Sequence, residues 1–195
     1  MTTFYFVRHG LTDHTGQRLS GWQPGVHLSE AGRAQAEAVA DRLAEAPLVA
    51  VYASPIDRTL ETARPIAERH KLKVIVRDGL GEVHYGRWTN RSFKSLRRTK
   101  LWEVVQRWPS AARFPEGESI RELQARAMTE VEMIASAHTR RAVCVVSHAD
   151  VIRVVLAHYL GVHLDLFQRI EISPASVSVV DVGEFGPRVL AMNAS

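Results

Sequence analysis

One stretch constrains the fold of this chain more than any other: Phe4-Tyr5-Phe6-Val7-Arg8-His9-Gly10. Four consecutive apolar residues, rich in aromatic and β-branched types, predict a strand buried on both faces. Gly10, without a Cβ, lets the chain turn sharply after it. Arg8 and His9 are therefore expected at the carboxyl end of a strand, where open α/β sheets bind their ligands. Ala142-Val143-Cys144-Val145-Val146-Ser147-His148 repeats the design. If the two strands lie side by side and parallel, both imidazoles emerge at one sheet edge. Two histidines and an arginine converging there suit an anion, phosphate foremost.

At 195 residues the chain reads as one domain, residues 1–195, with room for a substantial core. Its 46% hydrophobic and 24% charged residues are ordinary for a soluble globular protein. The single cysteine, Cys144, lies mid-strand and reads as a small buried hydrophobe. No basic region followed by a long apolar stretch opens the chain, and no apolar run approaches ~18 residues. The expectation is a cytoplasmic protein with no membrane partner. The formal net charge of +4 is spread among 21 acidic residues, so nucleic acid is not an expected partner. A mild positive bias also suits a binder of small phosphorylated anions.

Taken in order, Leu11 to Leu28 is a polar, glycine-rich loop expected to wall the site. Arg18, His14 and His27 within it read equally as surface residues, and no metal-ligand spacing occurs. Ser29 is an N-cap for a helix to about Glu45, with Ala34, Ala38, Val39 and Leu43 as its apolar stripe. Leu48 to Ala53 is a strand. Ser54 is then expected to cap a helix with Pro55 in its first turn, and Pro65 to kink or divide that helix. From spacing alone, Arg58 is either an exposed helical arginine or one that swings back over the sheet edge.

Leu72 to Val76 is a third strand. Glu82, between Gly81 and an aromatic cluster, reads from its neighbours as a loop carboxylate; the alternative is a carboxyl held in a dry pocket, suited to general acid work. Ser92 to Trp108 reads as one helix with a basic side of Arg91, Lys94, Arg97, Arg98 and Lys100, either solvated or a cationic lid. Glu116-Gly117-Glu118-Ser119 leads into a long helix to about His138, with Glu118 near its N-terminus favouring the dipole. Asp150 begins another, closed by Gly161 after Leu160. Ile170 to Ser173, Val177 to Val182 and Val189 to Met192 read as short edge strands. The alternation predicts an α/β fold, a three-layer sandwich with a mainly parallel central sheet.

Arg8-His9-Gly10 followed by Thr12 resembles the signature of the histidine phosphatase superfamily, also called phosphoglycerate mutase-like. Ser54-Pro55 with Arg58 and Thr62-Ala63, Gly81-Glu82 with Tyr85-Gly86, Glu116-Gly117-Glu118-Ser119, and Ser147-His148 follow in the family's order. The resemblance implies that His9 accepts the phosphoryl group as a phosphohistidine. Arg8, Arg58 and His148 would hold its non-bridging oxygens. Glu82 would protonate the leaving oxygen and then activate water. Substrate contacts are implied at Arg8, Thr12, Thr15, Gly21, Arg58, Tyr85 and Ala149, with no metal and no cofactor. The chemistry agrees: arginines supply paired hydrogen bonds to phosphoryl oxygens, and a neutral imidazole is a competent nucleophile.

Against the family's mutases, the chain departs in three places. His14-Thr15 stands where they carry Trp-Asn, Ala149-Asp150 where they carry Gly-Asn, and the segment after Tyr85 lacks their longer basic insertion. Each change weakens the handling of a doubly phosphorylated intermediate, so a phosphatase acting on a small phosphorylated metabolite is the leading expectation. A cofactor-dependent phosphoglycerate mutase is the alternative, supported by the basic row at Arg91 to Arg98. A non-catalytic phospholigand-binding domain is a third, countered by the presence of Arg8, His9, Arg58, Glu82 and His148 together. Oligomeric state is open, with a homodimer as the option to test.

Overall fold

The computed structural model describes residues 1–195. Six strands form one sheet: β1 (Thr2–Arg8), β2 (Leu48–Ala53), β3 (Val74–Val76), β4 (Ala142–Ser147), β5 (Val177–Gly183) and β6 (Gly186–Ala194), in the order β3-β2-β4-β1-β5-β6. The first four are mutually parallel, and β5 and β6 join as an antiparallel hairpin beside β1. Strand alternation sorts the core. Phe4 and Phe6 face one side with Tyr52, Val143 and Val145, packing against α5 (Ile120–Ala137) and α6 (Ala149–Tyr159). Val7 faces the other with Val51, Cys144 and Val146, packing against α1 (Glu30–Arg42) and α2 (Asp57–Arg69). This is the expected three-layer α/β sandwich.

The pairing of β1 with β4 sets Arg8 opposite Ser147, so His9 and His148 leave the sheet at one level. Ala53 pairs with Val146 on the other side of β4, which brings Ser54 to the same edge. Three adjacent parallel strands thus deliver their polar ends together.

Several local expectations are corrected. Ser54 is not the N-cap: Ile56 takes that place in α2 with Pro55 before it, and the Ser54 hydroxyl accepts from His148 and from the Ile56 amide. Pro65 does not divide α2, which runs unbroken with its Ala63, Ile66 and Ala67 face buried against the sheet. The basic helix is two: α3 (Phe93–Leu96) and α4 (Lys100–Arg107), separated where Thr99 starts a new cap by accepting from the Trp102 amide. The lead-in from Glu116 to Ser119 does stand before α5 as expected, with a reciprocal Ser119–Glu122 box as the cap. Ile170 to Ser173 is no strand, since the Ile170 and Ile172 carbonyls accept from Arg153 and Arg8 instead of a neighbouring strand. Of the hairpin strands only β6 is an edge. Residues 72 and 73 lie before β3, the Leu72 amide being spent on the Ala67 carbonyl.

The apolar stripe of α1 is also rotated from expectation. Ala36, Val39, Ala40 and Leu43 are buried, with Gly32, while Ala34 and Ala38 are exposed. Two glycines set this phase. A Cβ on Gly10 would stand 2.5 Å from the Gly32 carbonyl oxygen, and one on Gly32 would overlap the Leu11 carbonyl. Gly10 is therefore required for close backbone approach, and the helix N-terminus packs directly on the turn that carries His9. No helix of the protein is long and apolar enough to cross a membrane.

Gly32→Ala is accordingly expected to destabilise the fold by about 2 kcal/mol or more, since main chain cannot yield as a side-chain end can. Ala38→Ser, on the exposed side, should stay within about 0.5 kcal/mol. Urea unfolding midpoints at constant m-value decide; equal midpoints for the two variants would refute the close-packing account.

Candidate active site

The carboxyl ends of β1, β2 and β4 open into a cavity of about 380 Å³. Arg8, His9, Thr12, Thr15, Gly21, Arg58, Glu82, Tyr85 and Ala149 all line it. His148 does not reach the lining. It is fully buried just behind, its ring 5.3 Å from that of His9.

His9 is 6% exposed, and its Nδ1 lies 2.7 Å from the Gly10 carbonyl oxygen. A carbonyl only accepts, so Nδ1 carries the proton and Nε2 keeps its lone pair. Burial, then the Arg58 and Arg8 charges, hold the His9 pKa well below the ordinary histidine value. The imidazole is neutral, with Nε2 facing cations.

Arg58 is the hub. Its second place in α2 sends the side chain inward, where it is 2% exposed. Nε donates to His9 Nε2 at 3.2 Å, and one terminal nitrogen donates both to the Gly21 carbonyl at 2.9 Å and to His148 Nδ1 at 3.2 Å. The other terminal nitrogen, Nη1, is buried without a protein partner, as is Nε of Arg8. Arg8 is anchored by Nη1 donating to the Ile172 carbonyl at 2.6 Å. Unsatisfied buried guanidinium nitrogens are costly unless an anion completes them.

His148 accepts from Arg58 at Nδ1, so its Nε2 donates to Ser54 Oγ at 2.9 Å. Its pKa is held well below the ordinary value, first by burial and then by Arg58. His148 is also the N-cap residue of α6, which directs that helix's N-terminus and its partial positive charge at the site. Thr62 ties the layers: its hydroxyl donates to the Arg58 carbonyl at 2.7 Å and accepts from the Gly10 amide at 3.1 Å. Thr12 and Thr15 are bonded to each other, the Thr12 amide donating to Thr15 Oγ1 at 3.0 Å.

Glu82 lies across from this cluster. One carboxyl oxygen accepts from the Val83 amide at 3.0 Å, and the other is 3.8 Å from His148 Nδ1. Burial first, and the Asp150 charge second, raise its pKa to about 7 against the pull of Arg58 and Arg8. It is the carboxyl in a dry pocket, not an exposed loop glutamate, and it gives up its proton only around neutrality. Tyr85 donates to Asp150 at 2.9 Å and forms the wall between Glu82 and α6.

Sequence reasoning missed the residue that holds Glu82. Arg126, on α5, donates to the carbonyls of Gly79, Gly81 and Glu82 at 2.8–2.9 Å. It also grips Glu118 in a fork at 2.7 and 2.9 Å. Glu118 in turn accepts from the His84 amide at 2.9 Å. Trp22 completes the clamp, donating to the Glu82 carbonyl at 2.6 Å and stacking on His84. The only trace of this in the sequence is a carboxylate placed eight residues before an arginine, which no periodicity singles out.

The cationic lid is not there. Arg91, Lys94, Arg97, Arg98 and Lys100 are exposed, and none lines the cavity. The side of α3 and α4 turned to it is Phe93, Trp102, Val105 and Gln106. Arg18 reaches the rim but is exposed and donates to the Asn90 carbonyl. His14 bonds Ser20, and His27 pairs with Glu61 outside the cavity. Of the tryptophans, Trp88 and Trp102 line it and Trp108 is exposed. No three His, Cys, Asp or Glu side chains are grouped to hold a metal ion.

The family model of the histidine phosphatase superfamily (branch 1) matches residues 4–195. The chain belongs to this superfamily. It is 33% identical over 169 residues to phosphoserine phosphatase 1 of Hydrogenobacter thermophilus, covering 85% of this chain and 80% of that one. It is 30% identical over 186 residues to the probable phosphoglycerate mutase GpmB of Yersinia pestis, covering 94% and 86%. Among solved structures it resembles Bacillus stearothermophilus YhfR at a TM-score of 0.94 and 27% identity, covering 100% and 98% of the two chains. A mycobacterial glucosyl-3-phosphoglycerate phosphatase matches at 0.87 and 26%, covering 99% of both. Two of these relatives are named phosphatases and one a probable mutase.

Arg126→Leu should leave the Glu118 carboxylate unpaired, lowering stability by about 3 kcal/mol. Arg126→Lys keeps a charge but not the fork, and should cut kcat for ester hydrolysis about tenfold with little change in KM. An unchanged kcat in the lysine variant would remove Arg126 from the positioning of Glu82.

Proposed function

We propose that the protein is a metal-independent phosphatase that hydrolyses a small phosphomonoester through a phosphohistidine on His9. The observation that carries this reading is the neutral His9, whose Nε2 lone pair faces two arginines with unsatisfied buried nitrogens, opposite a carboxyl with a pKa near 7. In the first step, Nε2 of His9 attacks phosphorus and the bond to the ester oxygen breaks. Glu82 gives its proton to that oxygen, and the alcohol leaves. Arg8 and Arg58 bind the equatorial oxygens, whose charge is what phosphoryl transfer chiefly needs stabilised. His148 backs them through Arg58, and Thr12, Thr15, Gly21, Tyr85 and Ala149 shape the phosphate and leaving-group subsites. In the second step Glu82, now ionised, takes a proton from water as its oxygen bonds phosphorus and the N–P bond breaks. Phosphate leaves, and both groups return to their starting states. The unit that does this is a single domain, residues 1–195, acting in the cytoplasm on a small phosphorylated metabolite and not on nucleic acid. Sedimentation velocity tests whether it works as a homodimer.

A mutase reading is kept by the likeness to the probable phosphoglycerate mutase. The exposure of the whole Arg91 to Lys100 basic row weighs against it, because a bisphosphorylated intermediate needs cations inside the cavity. Added 2,3-bisphosphoglycerate should therefore leave phosphate release unchanged and generate no 2-phosphoglycerate from 3-phosphoglycerate; cofactor-dependent isomerisation outpacing hydrolysis would make the mutase reading the right one.

Phosphate release with EDTA present should persist in the wild type and vanish in His9→Ala. For alkyl esters, whose leaving oxygen needs a proton, the raised Glu82 pKa of the free enzyme sets the sign: kcat/KM, which covers the steps up to departure of the alcohol, falls as pH rises through about 7. Glu82→Gln should lose ~100-fold or more and flatten that limb. A rate that climbs between pH 7 and 8 would exclude Glu82 as the acid.

A further inference from the structure

The cavity divides by chemistry. Its inner end holds Arg8, His9, Arg58 and Glu82, and its outer chamber is aromatic. Trp88 and Trp102 stack with centroids 6.3 Å apart, Phe93 meets Trp102 edge-on at 5.9 Å, and Phe114 meets Trp88 at 5.4 Å. Trp88 and Phe114 are buried, whereas Phe93 and Trp102 are only half-buried and turn part of their surface to the chamber. Phe167 closes the far side. Water-wetted ring faces in a concave wall are stabilised when an apolar group covers them.

Charge in the chamber points the same way. Beyond the phosphate end, the charged lining residues are Arg18, Asp150 and Arg153. Arg153 is committed: it donates to Asp150 at 3.0 Å and to the Ile170 carbonyl at 2.8 Å, and its remaining terminal nitrogen is 3.6 Å from Glu171. Arg18 lies at the exposed rim, where one terminal nitrogen donates to the Asn90 carbonyl and no carboxylate pairs with it. Inside the chamber a carboxylate on the leaving group would find its one cation, Arg153, already paired and would face Asp150, leaving only Arg18 at the solvent-exposed rim to meet it. Neutral hydrogen-bonding capacity is available from Gln106 and from the carbonyl oxygen of Gln168, whose amide nitrogen donates to the Val105 carbonyl.

We propose that the alcohol half of the substrate is an apolar, ring-bearing group with uncharged polar substituents, and that the short carboxylate-bearing alcohols of phosphoserine and the phosphoglycerates are disfavoured. This rests on the phosphatase reading for its chemistry, but the fit of the chamber is measurable without turnover. Specificity then resides in Phe93 and Trp102, on α3 and α4, and the basic row on the outside of the same segment takes no part.

The test compares 2-phenylethyl phosphate, 3-phosphoglycerate and phosphoserine. All three are esters of primary alcohols, and the electron-withdrawing substituents of serine and glycerate make those the better leaving groups, so leaving-group acidity cannot produce the expected order. Wild-type kcat/KM is expected to favour the phenylethyl ester by at least about tenfold, and Trp102→Ala to shrink that ratio about fivefold or more, the loss expected when one aromatic contact is removed. Lys94→Ala, on the exposed side, should leave the ratio unaltered. In parallel, calorimetric binding of the three esters to His9→Ala should give the same order, which guards against a Trp102 variant that fails to fold. A ratio at or below one, in turnover or in binding, overturns the substrate class while leaving the phosphatase standing. Tighter binding of the phenylethyl ester with no wild-type hydrolysis of any ester does the reverse: the chamber reading holds and the phosphatase reading falls. If His9→Ala binds none of the three, the chamber reading is refuted.

Discussion

The structure depends on one buried guanidinium. Arg58 is almost wholly out of water, and in that setting a charge must be met by oriented partners. It meets His9, His148 and the Gly21 carbonyl, one group each from the end of β1, the end of β4 and the first loop. Burial lowers its pKa, and the carboxyl opposite counters that only when it is ionised, so the proton on Glu82 and the charge on Arg58 are linked. Three segments distant in sequence are thereby held at one point. The nitrogen that Arg58 has left over, with that of Arg8, defines where an anion belongs.

The same charges separate the roles of the titrating groups. Positive neighbours and burial act together on the two histidines and hold them neutral. On Glu82 burial opposes the arginines and prevails, with help from Asp150, so the carboxyl keeps a proton that an exposed glutamate would have lost. A neutral nucleophile and a protonated acid thus coexist near pH 7 because they respond with opposite sign to desolvation. The Arg126–Glu118 fork and Trp22 belong to this arrangement: they anchor the Gly79 to Glu82 loop by its carbonyls and leave the Glu82 side chain free to titrate.

Distance from the phosphate end changes what the walls are made of. Near His9 they are arginine, threonine and main chain, and outside them they are tryptophan and phenylalanine. The break at Arg97 to Thr99 between α3 and α4 produces the outer wall, since it lets two short helices present Phe93 and Trp102 together while their basic residues face solvent. A single helix over 92–108, as periodicity suggests, would spread the same residues along one rod.

The sequence by itself determined the strand ends and what stands on them. Apolar runs closing in Arg8-His9 and Ser147-His148 can only be buried strands with polar termini, and their alternation with helices leaves a parallel sheet as the economical fold. These are local properties, written in composition and period. What only the tertiary structure decided is non-local. The phase of α1 follows from a backbone contact between Gly32 and Leu11, which hydrophobic spacing does not encode. Arg58 and Glu82 could each have been solvent-exposed as far as their neighbours in the chain could tell, and they became site residues because packing removed the water around them. Arg126 carries no motif of its own, and its carbonyl partners lie more than forty residues away. Which side of the α3–α4 segment faces the cavity was likewise settled by packing: burying aromatic rings is favourable, burying five unpaired cations is not, and so the basic row went to solvent.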